Sequence, residues 1–330
     1  MTILTPEPVT PGDTATAAPE REFTIKARTQ GQMVRGRFIR HRGALIGLTA
    51  LGFVVVLAYT SIGFWKIPGW WPLDFKDTGT VVNAGQPSLD LIPWIDGDGL
   101  TIGDHPFGQD QTGRDYFALT MRGTQISLMV AFVIGIVSTF LGALAGAISG
   151  YYGGKADGVI MRFTDLLLTI PILILAAVVG QAVAGGGPFF LAMVLALVIW
   201  TSLARLVRGE FLSLREKEFV EAAKAMGAKN SRIIFRHILP NAIGTIIVSA
   251  TLTIAVAILL EAALSYLGFG VQPPDTSLGR LISEYQNSFS TRPWLFWWPG
   301  LFIIAIALSV NFIGDGLRDA FDPRQTRVRA

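Results

Sequence analysis

Six long apolar stretches, near 44–65, 124–150, 163–183, 188–207, 242–264 and 298–314, constrain this chain more than any other feature. A helix needs about 20 apolar residues to cross a hydrocarbon core roughly 30 Å thick. Inside that core every peptide N–H and C=O needs a protein partner, so continuous runs of this length predict helices. The expected fold class is all-α: a polytopic membrane protein with about six transmembrane helices. Composition agrees, because only 15% of residues are charged, against about 25% in a soluble domain, and mean hydropathy is +0.49. The second stretch is long enough to tilt or to leave the bilayer. The last is short, and the aromatics from Phe296 suit a start at the interface.

Charge placement orients these stretches. Before the first lie Lys26, Arg28, Arg35, Arg37, Arg40 and Arg42; after the fourth lie Arg208, Arg215, Lys217, Lys224, Lys229, Arg232 and Arg236. Arg318, Arg324, Arg327 and Arg329 follow the sixth, whereas 67–120 holds eight aspartates beside Lys76 and Arg114. The positive-inside rule then places both termini and 208–241 in the cytoplasm and the acidic loop outside. The domain reading is a disordered cytoplasmic arm at 1–35, a lead-in and first anchor at 36–66, and an external acidic loop at 67–120. A core domain at 121–314 carries a cytoplasmic loop at 208–241, and 315–330 is a cytoplasmic tail. The Pro-, Thr- and Ala-rich first 20 residues do not read as a signal peptide, and the first apolar run reads as an uncleaved anchor. Dispersed basic residues at membrane edges, with a net charge of +3, do not predict nucleic-acid binding.

Within the spans, Gly142, Gly146 and Gly150 recur at every fourth position and present a bare helix face, to a partner subunit or to this chain itself. Glu261 lies deep in span five, toward its outer end, where a charge is costly unless it faces protein or water. Two readings stay open for it: a hydrogen-bonding role at a subunit interface, or a role in a gate or pathway. Asp165, three residues after Arg162, reads as a local helix-end partner, and Arg205 and Arg208 as side chains snorkelling to the cytoplasmic interface. The outer segment 264–274, rich in Gly and Pro, predicts a sharply turned re-entry or lip.

The loop 208–241 is too polar to span and too patterned for a linker. Phe219, Ala222, Ala223 and Met226 share a face at helical spacing, opposite Lys217, Glu221 and Lys224. Gly227 is a natural residue after a helix C-cap, and Asn230 or Ser231 can cap a second helix carrying Ile233, Ile234, Ile238 and Leu239, which Pro240 interrupts before span five. From the pattern alone such a pair either docks on a partner or lies on the lipid surface.

EAAKAMG at 221–227, followed by Leu239-Pro240, resembles the cytoplasmic EAA loop of bacterial binding-protein-dependent ABC importer permeases. His237, where the general motif prefers isoleucine, resembles the dipeptide and oligopeptide branch. So do HPFGQDQTGRDYF (105–117), LSYLGFGVQPP (264–274) and GDGLRDAFDPR (314–324), with Gln109 in place of a usual threonine. The likeness covers roughly 100–324 and the preceding anchor. It implies a type I ABC importer permease fold and identifies the chain as the second, C-type permease of a pair. Glu221, Ala222, Ala223, Gly227, His237, Leu239 and Pro240 would then form the ATPase-coupling element. The remaining motif positions carry no assigned role: His105, Pro106, Gly108, Asp110, Gly113, Arg114 and Asp115; Gln272, Pro273 and Pro274; Gly314, Asp315, Gly316, Arg318 and Asp319. The implied partners are a B-type permease forming a heterodimer, two ATP-binding cassette ATPases that hold ATP and Mg, an extracytoplasmic substrate-binding protein and the lipid bilayer of the bacterial inner membrane. The implied cargo is a dipeptide or oligopeptide, with nickel, glutathione or an oligosaccharide as alternatives on the same architecture. The eight-aspartate loop would either favour cationic cargo or dock the binding protein.

The chain itself reads as non-catalytic and without a bound cofactor or metal. SGYYGGKA (149–156) lacks the first glycine of a phosphate loop and ends in Ala156 where Ser or Thr is needed. His41, His105 and His237 fall on different predicted sides, and the absence of cysteine excludes disulfides and thiolate metal sites. An ion-coupled secondary transporter is the alternative of another class; it requires a carboxylate relay or an internal repeat, and Glu261 alone supplies neither.

Overall fold

The computed structural model describes residues 30–64, 66–89 and 102–322. The predicted arm before residue 30, Asp90, Asp96 and Asp98 of the acidic loop, and the tail from 323 lie outside the described residues. A short helix α1 (Gln30–Phe38) precedes α2 (Arg42–Ser61). A two-residue hairpin follows, β1 (Gly63–Phe64) with β2 (Ile67–Pro68), pairing Gly63 with Pro68 and Phe64 with Ile67. Then come α3 (Tyr116–Tyr152), α4 (Gly154–Thr169), α5 (Ile172–Ala182), α6 (Gly187–Arg215), α7 (Glu218–Ala225), α8 (Asn230–Tyr266), α9 (Leu278–Tyr285) and α10 (Trp294–Phe321). Apart from the hairpin, the regular secondary structure of the described residues is helical, as expected. Five helices are long and apolar enough to cross a membrane, six if α4 and α5 count as one broken span.

Three expected spans change shape. The third does not run straight: α4 and α5 meet at 92°. Pro171 is the cause, because its ring disfavours helical geometry at the preceding residue, and Ile170 is extended (φ −86°, ψ 129°). The second begins at Tyr116 because Asp115 caps it, accepting the Ala118 N–H at 2.8 Å. The sixth extends from Trp294 to Phe321, past the apolar run, since its last turns pack against α2 and α8 on small residues. A Cβ on Gly316 would sit 2.2 Å from the Ala44 Cβ, and one on Gly314 would sit 2.8 Å from Thr251 Oγ1.

α3 and α6 make the most extensive helix pair of the molecule. The glycine stripe faces this partner within the same chain. Cβ atoms on Gly142, Gly146 and Gly150 would lie 2.8 Å from the Trp200 carbonyl, 2.5 Å from that of Ala204 and 2.7 Å from that of Arg208. The two backbones are thus in contact along three turns. The core around them holds Val130, Ile134, Leu195 and Ile258. Large apolar side chains such as Phe53, Ile136 and Phe140 remain exposed on the outer faces, as lipid-facing positions require.

The segment 105–117 is a knot at the outer end of α3. Asp110, 1% exposed, accepts the N–H groups of Thr112 (2.8 Å) and Arg114 (2.9 Å), the Arg114 Nε (2.7 Å) and the Tyr285 hydroxyl (2.8 Å). Arg114 also donates to Glu284 and to the Tyr285 oxygen, tying the knot to α9. Asp115 takes Trp71 Nε1 at 2.9 Å and lies 2.8 Å from His105 Nδ1. Gln109, the departure from the family pattern, is buried; it accepts the Val82 N–H and donates to the carbonyls of Thr80 and Gly113. Gly113 has φ +77°, and a Cβ there would stand 2.0 Å from the Gly79 oxygen. Burial alone would push the Asp110 carboxyl up, but the hydrogen bonds from Arg114, Thr112 and Tyr285 outweigh it and hold it below the usual carboxylate range.

Four outcomes follow for measurements on the purified chain. Gly146→Leu should lower stability by about 3 kcal/mol or more through overpacking, read as a lower unfolding temperature in detergent. Gly209→Ala on α6, where nothing lies within 4 Å of an added Cβ, should stay within about 0.5 kcal/mol of the parent. For Asp110 the folded pKa lies below the unfolded one, so its stabilisation is full above about pH 4 and fades only as pH falls through the depressed value. Hydrogen exchange at the Thr112 and Arg114 amides should therefore be constant from neutral pH to about pH 5 after correction for intrinsic rates, and Asp110→Ala, which removes the oxygen both amides bond, should abolish that protection.

Candidate functional site

The loop 208–241 folds as a rigid corner. α7 ends in a full Schellman arrangement: Met226 is the C-cap, the Gly227 N–H bonds the Lys224 carbonyl at 2.9 Å, and the Ala228 N–H bonds the Ala223 carbonyl at 3.0 Å. Gly227 sits at φ +76°, which a side chain resists. Val220 and Ala223 are buried with Phe211, Ile233 and Ile238 in a satellite core at the ends of α3, α6 and α8.

The apolar face predicted for α7 divides in two. Ala223 turns inward together with Val220, whereas Phe219, Ala222 and Met226 face outward, Met226 being 80% exposed. Glu221, Lys217 and Lys224 are exposed beside them. The exposed strip is what a helix keeps when a second surface is to cover it.

The second loop helix is not a separate one. Asn230–Tyr266 runs as a single helix into span five, and Pro240 lies within it. A π turn over Ile233–Ile238 makes this possible: the Leu239 N–H bonds the Ile234 carbonyl five residues back, and Asn241 Nδ2 donates to the His237 carbonyl at 2.7 Å. The widened turn absorbs the missing proline N–H and the steric conflict that would otherwise break the helix. Nor does Asn230 cap this helix through its side chain; Lys229 occupies the N-cap, and Asn230 Oδ1 accepts the Tyr151 hydroxyl at 2.9 Å.

Glu261 is 1% exposed and turned into its own chain. Its carboxylate accepts Ser127 Oγ at 2.8 Å and Ser265 Oγ at 2.7 Å. Each serine in turn accepts an amide of the outer segment: Leu278 N–H on Ser127 at 3.2 Å and Val271 N–H on Ser265 at 3.0 Å. Between these anchors Gln272 donates to the Gly268 carbonyl, and Pro273 and Pro274 form the wall of an outer cavity with Gly180 and Gly185. The predicted lip is therefore a tethered turn leading into α9.

The motif at 314–324 is a helix contact. Asp319 lies 3.3 Å from His41 Nε2, while His41 Nδ1 caps α2 by accepting the Ala44 N–H at 3.0 Å. The Arg318 carbonyl accepts the Asp322 N–H, and Asp315 is exposed. At the same end, Asp165 pairs with Arg205 rather than with Arg162, and Arg208 holds Asp157 in a fork at 2.5 and 2.7 Å. Arg205 and Arg208, read from the sequence as snorkelling, are thus ion-paired. The glycine pair in 149–156 is the α3–α4 corner, with Gly153 at φ +65°. Among the described residues no three His, Asp or Glu side chains converge to hold a metal.

Comparison with known proteins agrees with this geometry. The family model described as binding-protein-dependent transport system inner membrane component matches residues 138–327. The oligopeptide transport system permease protein OppC of Mycobacterium tuberculosis is 39% identical over 298 residues, covering 90% of this chain and 96% of the relative. OppC of Haemophilus influenzae is 36% identical over 307 residues, covering 92% and 91%. In fold, the chain is similar to a chain of the MetNI methionine ABC transporter in an inward-facing conformation, with a TM-score of 0.51 at 20% identity, over 62% of this chain and 96% of that one. The chain belongs to the family of binding-protein-dependent transport system inner membrane components and is a non-catalytic, membrane-spanning permease subunit of an ABC importer.

Proposed function

We propose that this permease forms, with a B-type permease, the path for a dipeptide or oligopeptide, and that α7 with its glycine corner docks on an ATPase subunit. The observation that carries the docking role is the outward strip Phe219, Ala222 and Met226 on a helix whose opposite face is locked into the core. A displaced α7 must drag the ends of α3, α6 and α8, which share that satellite core, so force applied at the corner enters the bundle. The OppC relatives support peptide as the cargo. ATP and Mg belong to the partner ATPases, and an external binding protein delivers the substrate. The basic residues flanking α7 put this corner, and with it both termini, in the cytoplasm. The outer knot and the tethered 267–277 turn face the other side, toward the binding protein.

Two experiments test the reading. Cysteines placed singly at Thr80 and Lys229, both exposed, should react with an impermeant thiol reagent from opposite faces of sealed cells; reaction of both from outside refutes the orientation. Glu221→Lys and Gly227→Pro should lower peptide uptake about tenfold or more, equivalent to about 1.4 kcal/mol of coupling, while the partner ATPases keep hydrolysing ATP. Exposed helix charge pairs contribute only about 0.2–0.5 kcal/mol, so loss of helix stability does not account for a large defect in Glu221→Lys. Normal uptake by both variants, at normal subunit recovery, removes the docking role.

A further inference from the structure

α4 is weakly held by apolar packing. Thr164 is its one buried residue, and Val159 and Leu166 are exposed. What binds it is a polar seam along α6. Arg208 grips Asp157 with two hydrogen bonds, Ser149 at the end of α3 donates to the same carboxylate, and about two turns of α6 separate this pair from Trp200, which stacks on Phe163. Arg205 adds the pair with Asp165. Order along the seam is antiparallel overall: Asp157 near the start of α4 meets Arg208, whereas Phe163 and Asp165, about two turns further on, meet Trp200 and Arg205, which precede Arg208 on α6.

The two ends of this seam meet very different structures. At one end α6 terminates at Arg215, whose guanidinium donates to the Tyr151 carbonyl at 3.1 Å, and α7 starts three residues later. At the other end α4 stops at the Ile170–Pro171 break, beyond which α5 leaves at 92°. A bidentate arginine–carboxylate pair fixes orientation as well as distance. An extended residue before proline, by contrast, has no helical hydrogen bonds to stiffen it.

We propose that the Asp157–Arg208 and Asp165–Arg205 pairs lock α4 to α6 as one body, so that displacement of α7 carries α4 with it and swings α5 about Ile170–Pro171. Asp157, Asp165, Arg205 and Arg208 are positioning residues in this scheme. The proposal rests on the docking role of α7, which Glu221→Lys tests separately.

The test uses the full complex reconstituted in proteoliposomes with its partner subunits, supplied with a labelled pool of short peptides. Asp157→Arg or Arg208→Asp alone should leave ATPase activity and subunit recovery intact while reducing uptake per ATP roughly fivefold or more, and the exchanged pair should regain at least about half of the loss. Normal uptake in a single variant, an equal fall in uptake and hydrolysis, or an exchanged pair no better than the single variants overturns the proposal. A second measurement covers variants that fail to assemble. The chain has no cysteine, so Asp165→Cys with Arg205→Cys can be joined by a short cleavable thiol linker. A body that moves as one should keep its uptake when linked. Uptake lost on linking and regained on cleavage means that the seam slides, and the proposal fails.

Discussion

Backbone contact between α3 and α6 is the constraint on which the rest of the molecule depends. In lipid, apolar side chains gain little by leaving one hydrocarbon surface for another, so close van der Waals fit has to supply much of the association. Gly142, Gly146 and Gly150 provide it by letting the carbonyls of Trp200, Ala204 and Arg208 approach where side chains would stand. Once these helices are fixed, their C-terminal ends define the satellite core that receives Val220, Ala223 and Ile233. Their outer portions receive α8 and, through Ser127, the tethered turn.

The three motif segments outside the docking loop turn out to be joints. Asp110 and Asp115 each gather several donors from residues brought near by turns and by α9, which is why 105–117 needs those carboxylates at those places. Gly314 and Gly316 mark close helix approach, and His41 joins the start of α2 to Asp319. None of these residues meets another titratable group in an arrangement suited to bond making. Their chemistry serves to hold a membrane domain to its outer and inner rims.

Span number, helical class and the end of α7 could be read from the chain because they depend on local hydropathy and on a glycine at a helix end. Gly227 shows this well: the sequence places it after α7, and the structure finds it at φ +76° with both Schellman bonds made. What escaped the sequence depended on tertiary partners. The split of the α7 face follows from where Phe211 and Ile233 stand, which no periodicity reveals. The continuity of α8 through Pro240 required a π turn, although Asn241, one residue on, was a usable sign because its side chain can satisfy a freed carbonyl. The bend at Ile170 was the opposite case. Pro171 announced it, and the apolar run around it concealed it.

Glu261 has a consequence for how this protein is made. A carboxylate at the centre of an inserting helix costs about 2.5–3.5 kcal/mol on insertion scales, and less toward the helix end where Glu261 lies, unless donors meet it. Two of the three serines that bond it, Ser127 and Ser265, are in place once α8 has entered the bilayer; the third, Ser277, follows. Ser127 belongs to α3, which is synthesised and inserted more than a hundred residues earlier, and Ser265 lies one turn further along the same helix. The amides of Val271 and Leu278 emerge later and bind the serines, not the acid. Vectorial synthesis from the N-terminus therefore delivers Ser127 before the charge, Ser265 with the rest of its helix, and Ser277 and the tether after it. A rearranged chain that presented α8 to the translocon ahead of α3 would have to insert the same helix without the Ser127 hydroxyl to meet the carboxylate.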